Sequence, residues 1–228
     1  MTTREDARSL IGELLADPRR FVEDGRPYAL LDAFWRGEPV ETLRPLLRSG
    51  DPWVERAASF VAAELGAAAE VLVKDVISLL SSRDRLARNH AMEVLATCAD
   101  GSQAEAFGHL AGMLEDDDIG IRLQAMDLVV GATTGQLHAL AEFLRDHSED
   151  RVAYANYVQM LINSGLSVAQ IGSMLHSADA LTRRYGAIAV KRLAQTDSGV
   201  AGLATDVEDP DLRDYLRGTS GGLNDQPP

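Results

Sequence analysis

Met113-Leu114-Glu115-Asp116-Asp117-Asp118-Ile119-Gly120-Ile121-Arg122-Leu123-Gln124-Ala125 decides the fold. It reads as the end of one helix, a short polar turn and the start of a second. The Leu closes the first helix. Asp118 then stands where a carboxylate accepts hydrogen bonds from the unpaired N–H groups that open the second. Ile121-Arg122 and Ala125 follow at helical spacing. Outward from this stretch the same order recurs. Upstream are Leu79-Leu80-Ser81-Ser82-Arg83-Asp84 and, before it, Leu46-Leu47-Arg48-Ser49-Gly50-Asp51-Pro52-Trp53. Downstream is Met174-Leu175-His176-Ser177-Ala178-Asp179. A fourth copy, Phe143-Leu144 through Ala155 and Val158, keeps the apolar spacing but carries Ser148 in place of the Asp.

Taking Leu47, Leu80, Leu114, Leu144 and Leu175 as anchors, the steps are 33, 34, 30 and 31 residues. Eleven places beyond each anchor stands a small residue: Ala58, Ala91, Ala125, Ala155 and Gly186. A fixed period of this length marks a repeat architecture. Each copy reads as a helical hairpin whose second helix starts at the Asp; Asp51 before Pro52 is the clearest start. Ala87, Ala91, Val94 and Cys98, at spacings of 4, 3 and 4, place one apolar stripe on the second helix of the second copy. The small residue on that stripe admits a neighbouring helix at close range. No segment alternates as a strand does over more than a few residues. The expected fold is all-α, an α/α solenoid of about 10–13 helices.

These residues resemble the short bacterial form of the HEAT repeat, best in Asp118…Ile121-Arg122…Ala125 and Asp51…Val54…Arg56…Ala58…Leu65-Gly66. The resemblance covers residues 39–194 and implies five HEAT-like hairpins. Residues 5–37 are expected to form an N-terminal helix pair punctuated by Gly25, Pro27 and Gly37. Residues 199–218 would form a C-terminal cap, loose over 199–204 and helical over 209–217, before a disordered tail at 219–228. Residues 1–218 are thus expected to be one solenoid. In such stacks Arg88, Arg122 and Arg183, each four residues beyond a capping Asp, would bond between neighbouring units. A narrower similarity is to HEAT-like bacterial proteins of toxin-immunity loci. It rests on Tyr28-Ala29-Leu30-Leu31…Gly37…Leu43-Arg44-Pro45-Leu46-Leu47 and Glu64-Leu65-Gly66.

Charge and composition narrow the function. The 228 residues carry 35 acidic and 22 basic side chains, a net charge of −13. That argues against nucleic acid or an anionic membrane as the main partner. Residues 100–150 hold 11 acidic and 2 basic side chains, and residues 206–225 hold 6 and 2. A local excess of one sign steers an oppositely charged partner, although Asp residues that cap helices and solvate turns would give the same count. With 46% apolar but 5% aromatic residues, the core must be built from Leu, Ala and Val. A polar beginning and no apolar run of about 18 residues give the expectation of a soluble, cytoplasmic protein.

No catalytic constellation emerges. Single Cys98 excludes a Cys-rich zinc site and an internal disulfide. The five histidines, His90, His109, His138, His147 and His176, lack His-Glu-x-x-His spacing, and Asp116-Asp117-Asp118 lacks the alternating ligands of a calcium loop. Phosphate-binding loops and nucleophile elbows are missing. The expectation is a non-catalytic chain that needs neither cofactor nor metal and binds another protein, probing it with aromatic and acidic side chains. Equivalent positions Phe60, Glu93, Asp127 and Tyr157 would form an aromatic–acid–acid–aromatic row. Trp53, Asp116, Asp117, Glu149 and Asp150 would join it, pairing with a basic partner. The family resemblance makes that partner a basic toxin domain, held by an immunity-type inhibitor. An assembly or regulatory scaffold is the alternative, and a HEAT-like DNA-glycosylase type of enzyme the third.

Overall fold

In the computed structural model, residues 6–147, 151–194, 197–205 and 207–218 are described. Among them are fifteen α-helices and no strand, so the fold is all-α. The chain divides into two compact units, the first running to Ala106 and the second starting at Phe107.

The first unit contains α1 (Ala7–Ala16), α2 (Pro18–Glu23), α3 (Pro27–Trp35), α4 (Arg44–Leu47), α5 (Pro52–Glu64), α6 (Val73–Val76) and α7 (Arg85–Cys98). The second contains α8 (Leu110–Met113), α9 (Ile119–Gly131), α10 (Thr134–His147), α11 (Val152–Ile162), α12 (Val168–Leu175), α13 (Ala180–Leu193), α14 (Ser198–Gly202) and α15 (Pro210–Arg217). The capping Asp residues do what their sequence position requires. Asp51 accepts from the Trp53 and Val54 amides at 2.8 and 3.2 Å, and Asp84 from Ala87 at 2.9 Å. Asp118 accepts from Ile121 at 3.1 Å and Asp179 from Thr182 at 2.7 Å. Each such cap is worth about 1 kcal/mol.

The helix count exceeds 10–13 because the expected N-terminal pair is three helices, α1 to α3, and because α14 forms ahead of α15. Within the early repeats the first helix is partly 3₁₀. Val40–Leu43, Gly66–Leu72, Ile77–Ser81 and Gly101–His109 are 3₁₀. Pro45 has no N–H to give Glu41, so the α-helical ladder is interrupted there. Residues 199–204, expected to be loose, are helical as α14 and a following 3₁₀ turn, because Asp197 caps Gly199 and Val200. The terminal helix is present as α15. The expected disordered tail, 219–228, lies outside the described residues.

All five small residues beyond the anchors are buried. At Gly186 a Cβ would stand 3.1 Å from the Leu175 backbone nitrogen and from the Met174 Cβ, so α13 lies so close to α12 that any larger residue would push the two helices apart by a few tenths of an ångström. In the first unit α5 packs on α7 and also on α2 and α3. The step from one repeat to the next is tied by Arg56, whose Nε donates to the capping carboxylate of Asp84 at 2.9 Å. Arg88, Arg122 and Arg183 bond differently from expectation. Each donates to carbonyls of its own preceding turn: Ser82 at 2.9 Å, Asp116 at 2.7 Å and Ser177 at 2.9 Å. Arg183 also reaches Asp209 at 3.3 Å. The guanidinium closes the turn that a capped helix leaves open.

The second unit departs from simple neighbour stacking. There α13 packs against both α9 and α11, although α9 and α13 are two repeats apart. Arg184 donates to Leu114 O at 2.7 Å, and Lys191 reaches Asp127 at 3.0 Å. Arg192 caps the end of α9 through the Val129 and Val130 carbonyls. A linear array would bring the fifth hairpin against the fourth alone. The departure falls where the period shortens to 30 and 31 residues and where α11 begins without a side-chain cap.

Candidate functional site

Among the expected binding residues, Trp53 and Phe60 are brought to one place. Both belong to α5, seven residues apart and so on one face. They line an open groove of about 370 Å³ with Val22, Pro27, Tyr28, Arg56, Leu86 and His90. Gly25, at φ 71°, turns the chain so that α3 begins at the groove edge. The Tyr28 ring meets Phe60 edge-on with centroids 4.9 Å apart, and Phe60 meets the His90 imidazole at 5.8 Å. Phe60 is therefore neither fully core nor free; it is the half-buried wall between Tyr28 and His90. The Arg56 guanidinium lies over the Trp53 ring at 4.4 Å while it bonds Asp84, and Arg19 lies over that ring at 5.8 Å.

The charges around the groove are held by one another. Arg19 pairs with Glu23 at 2.7 Å, Arg20 with Asp24 at 3.2 Å, and Arg56 with Asp84. Beyond the groove, Tyr28 and Trp35 are 68% and 62% exposed. They stand seven residues apart on α3, so one face of that helix carries two outward aromatics. Trp35 is thus not packed over the N-terminal core.

His90 has a defined state. Ser59 Oγ donates to Arg56 O at 3.1 Å, the usual return of a helical Ser to its own turn. Its oxygen is then an acceptor for His90 Nδ1 at 3.2 Å. Burial pushes the imidazole pKa down to about 4, with Asp84 opposing and Arg56 assisting. At pH 7 the ring is neutral, and the tautomer that satisfies both Ser59 contacts carries its proton on Nδ1.

The acidic members of the expected set are largely engaged. Glu93 accepts from Asn89 Nδ2 at 2.8 Å, and burial raises its carboxyl pKa. Asp127 takes Lys191 at 3.0 Å and the Tyr215 hydroxyl at 2.9 Å, so it anchors α13 and α15 while staying half-exposed. Asp116 accepts from the Asp118 amide at 2.9 Å and shapes the turn, whereas Asp117 is exposed. Tyr157 is half-buried with Tyr154 as its ring neighbour at 6.5 Å. Glu149 and Asp150 lie outside the described residues. Phe60 and Glu93 belong to the first unit, Asp127 and Tyr157 to the second.

Other chemistry-bearing groups are bound into the fold. Buried Cys98 donates to Gly66 O at 3.3 Å, and burial raises its thiol pKa. The His147 ring stacks on Phe143 at 3.7 Å. Among the described residues no three His, Cys, Asp or Glu side chains gather as a metal would need. None of the described helices is long and apolar enough to cross a membrane.

Sequence reasoning missed Tyr28, Arg56 and His90 as groove residues. Tyr28 belongs to a helix outside the repeat, so no register links it to Phe60. Arg56 and His90 do have a signal: they lie three residues N-terminal to Ser59 and one before the small Ala91, on the face that α5 and α7 share. Compared with protein-family models, with curated protein sequences and with solved structures, the chain matches none.

Proposed function

We propose that the chain is a non-catalytic helical-repeat protein of HEAT-like kind that binds another protein. The observation that supports this reading is the groove of the first unit. Tyr28, Trp53 and Phe60 surround about 370 Å³ of open, apolar space, and the neighbouring ions are already paired. Aromatic anchors in desolvated pockets supply most of the energy of protein interfaces. The net charge of −13 favours a basic partner by steering its approach.

The more specific form of the proposal is an immunity-type inhibitor that covers the cationic surface of a basic toxin domain. Asp117 remains available for such pairing, and Trp53 and Phe60 supply the anchors. Asp127 and Glu93 already hold partners within the fold and leave the acidic part of the contact to other side chains.

The test is to express the chain with the product of the reading frame immediately upstream, measure their association, and score protection of the cells. Binding that loses about 30-fold in affinity with Trp53→Ala, corresponding to a hot-spot loss of about 2 kcal/mol, and weakens with added salt, supports the proposal. A complex without protection leaves a scaffold. No association with any basic partner removes the reading.

A further inference from the structure

The groove's polar floor narrows what can enter it. Because Ser59 Oγ spends its proton on Arg56 O and receives the one on His90 Nδ1, the imidazole presents Nε2 as an unprotonated acceptor. Among the described residues no hydrogen bond reaches that nitrogen, and His90 lines the groove. Two of its neighbours there are aromatic walls, Phe60 at 5.8 Å and, beyond it, Tyr28. Covering an acceptor without replacing its water costs free energy, so a well-matched occupant brings a donor. An aromatic group that only donates fits better than one with lone pairs to satisfy. The indole of Trp is donor-only, flat and apolar, whereas the phenol of Tyr also accepts.

The volume, about 370 Å³, is at the low end for ligand pockets and admits one bicyclic side chain together with part of the segment that carries it. The exposed aromatic face of α3, Tyr28 and Trp35 two turns apart, continues the apolar surface outside the groove by about 10 Å. A polypeptide carrying the indole covers that extension; a free small molecule does not. The rim ions are matched among themselves, so a charged side chain entering here would find no uncommitted counter-ion among Arg19, Glu23, Arg56 and Asp84.

From this geometry we infer that the first-unit groove takes a tryptophan side chain projected by the protein partner, its indole N–H donating to His90 Nε2 between Phe60 and Trp53. The inference rests on the protein-binding reading and names the chemistry of its anchor. It is tested on the full chain with indole and 1-methylindole as probes, following backbone and ring resonances by NMR. Indole should shift Trp53, Phe60 and His90 saturably, and 1-methylindole, which has no N–H, should bind about tenfold more weakly. His90→Phe should bring the two probes to equal affinity.

The imidazole nitrogen shifts of the unmodified chain give a second readout that needs no variant, with Nε2 expected to be the unprotonated nitrogen. Equal binding of the two probes to the unmodified chain, shifts confined to other residues, no saturable shift, or a proton on Nε2 would each overturn the inference. If a protein partner binds and Trp53→Ala weakens it while the probes are not distinguished, the inference falls and the protein-binding reading stands. If indole binds as described and no partner associates, the protein-binding reading falls and takes the partner-borne tryptophan with it.

Discussion

The two units use the same repeat to opposite ends. In the first, successive hairpins stack in order, Arg56 reaches the next cap at Asp84, and an aromatic groove stays open. In the second, α13 reaches past its neighbour to α9, and α15 seals the assembly. Tyr215 of α15 is fully buried, its hydroxyl on Asp127 and its ring under Lys191 Nζ at 3.6 Å. Tyr28 and Trp35 of the first unit face outward, whereas Tyr185 and Tyr215 of the second are fully buried. Equal sequence spacing does not imply equal use; the difference is made by whatever lies over the shared face.

The contrast is sharpest in aromatic truncation. Tyr215→Ala should destabilise the second unit by about 3–5 kcal/mol, the range for deleting a buried aromatic, whereas Tyr28→Ala should change stability by less than about 0.5 kcal/mol. Urea unfolding measures both. A Tyr215→Ala chain as stable as the parent would mean that α15 is not part of the core.

Acid and alkali should separate the units next. His90 has a pKa of about 4 in the fold against 6.5 when unfolded. Between these values the unfolded chain binds the extra proton, so stability is full above pH 6.5 and falls as pH drops through 4. By linkage the loss is at most about 3 kcal/mol. In the second unit the phenols of Tyr154, pushed up to about 12, and of Tyr215 are held neutral, first by burial and then by carboxylate partners. Their contribution is present below pH 10 and is lost as pH rises beyond it. Unfolding followed against pH should show acid loss that His90→Phe flattens and alkaline loss that Tyr215→Phe reduces. Acid loss unchanged by His90→Phe would place the titration elsewhere.

Asp84 supports a smaller comparison, because it both caps α7 and receives Arg56. Asp84→Ala should cost about 1–2 kcal/mol, and Asp84→Asn, which keeps a capping oxygen, about 1 kcal/mol or less. Equal losses would show that the cap contributes nothing beyond the pair. Smallest is Lys191→Met, expected at about 0–1 kcal/mol and reduced by salt because Asp127 is half-exposed; a larger, salt-independent loss would mark the cation over Tyr215 as the main contribution.

Much of this was legible beforehand. Asp51, Asp84, Asp118 and Asp179 announce their helices because a cap is a local event, settled within four residues. The buried small residues at 58, 91, 125, 155 and 186 follow from periodicity, which is also local in origin. Trp53 and Phe60 could be chosen as anchors for the same reason: seven residues on one helix fix a shared face. Asp127 could not be judged, since its partners Lys191 and Tyr215 stand 64 and 88 residues away.

The sequence by itself determined the helical class, the caps, the turns and the repeat, since backbone hydrogen bonding and apolar periodicity act over a few residues. Only the tertiary structure decided which faces stayed open. Whether α3 lies beside Phe60, whether α13 passes α11 to reach α9, and whether α15 bonds Asp127 are choices among distant surfaces. Those choices are governed by how much apolar area each contact removes from water and by which buried polar groups find partners.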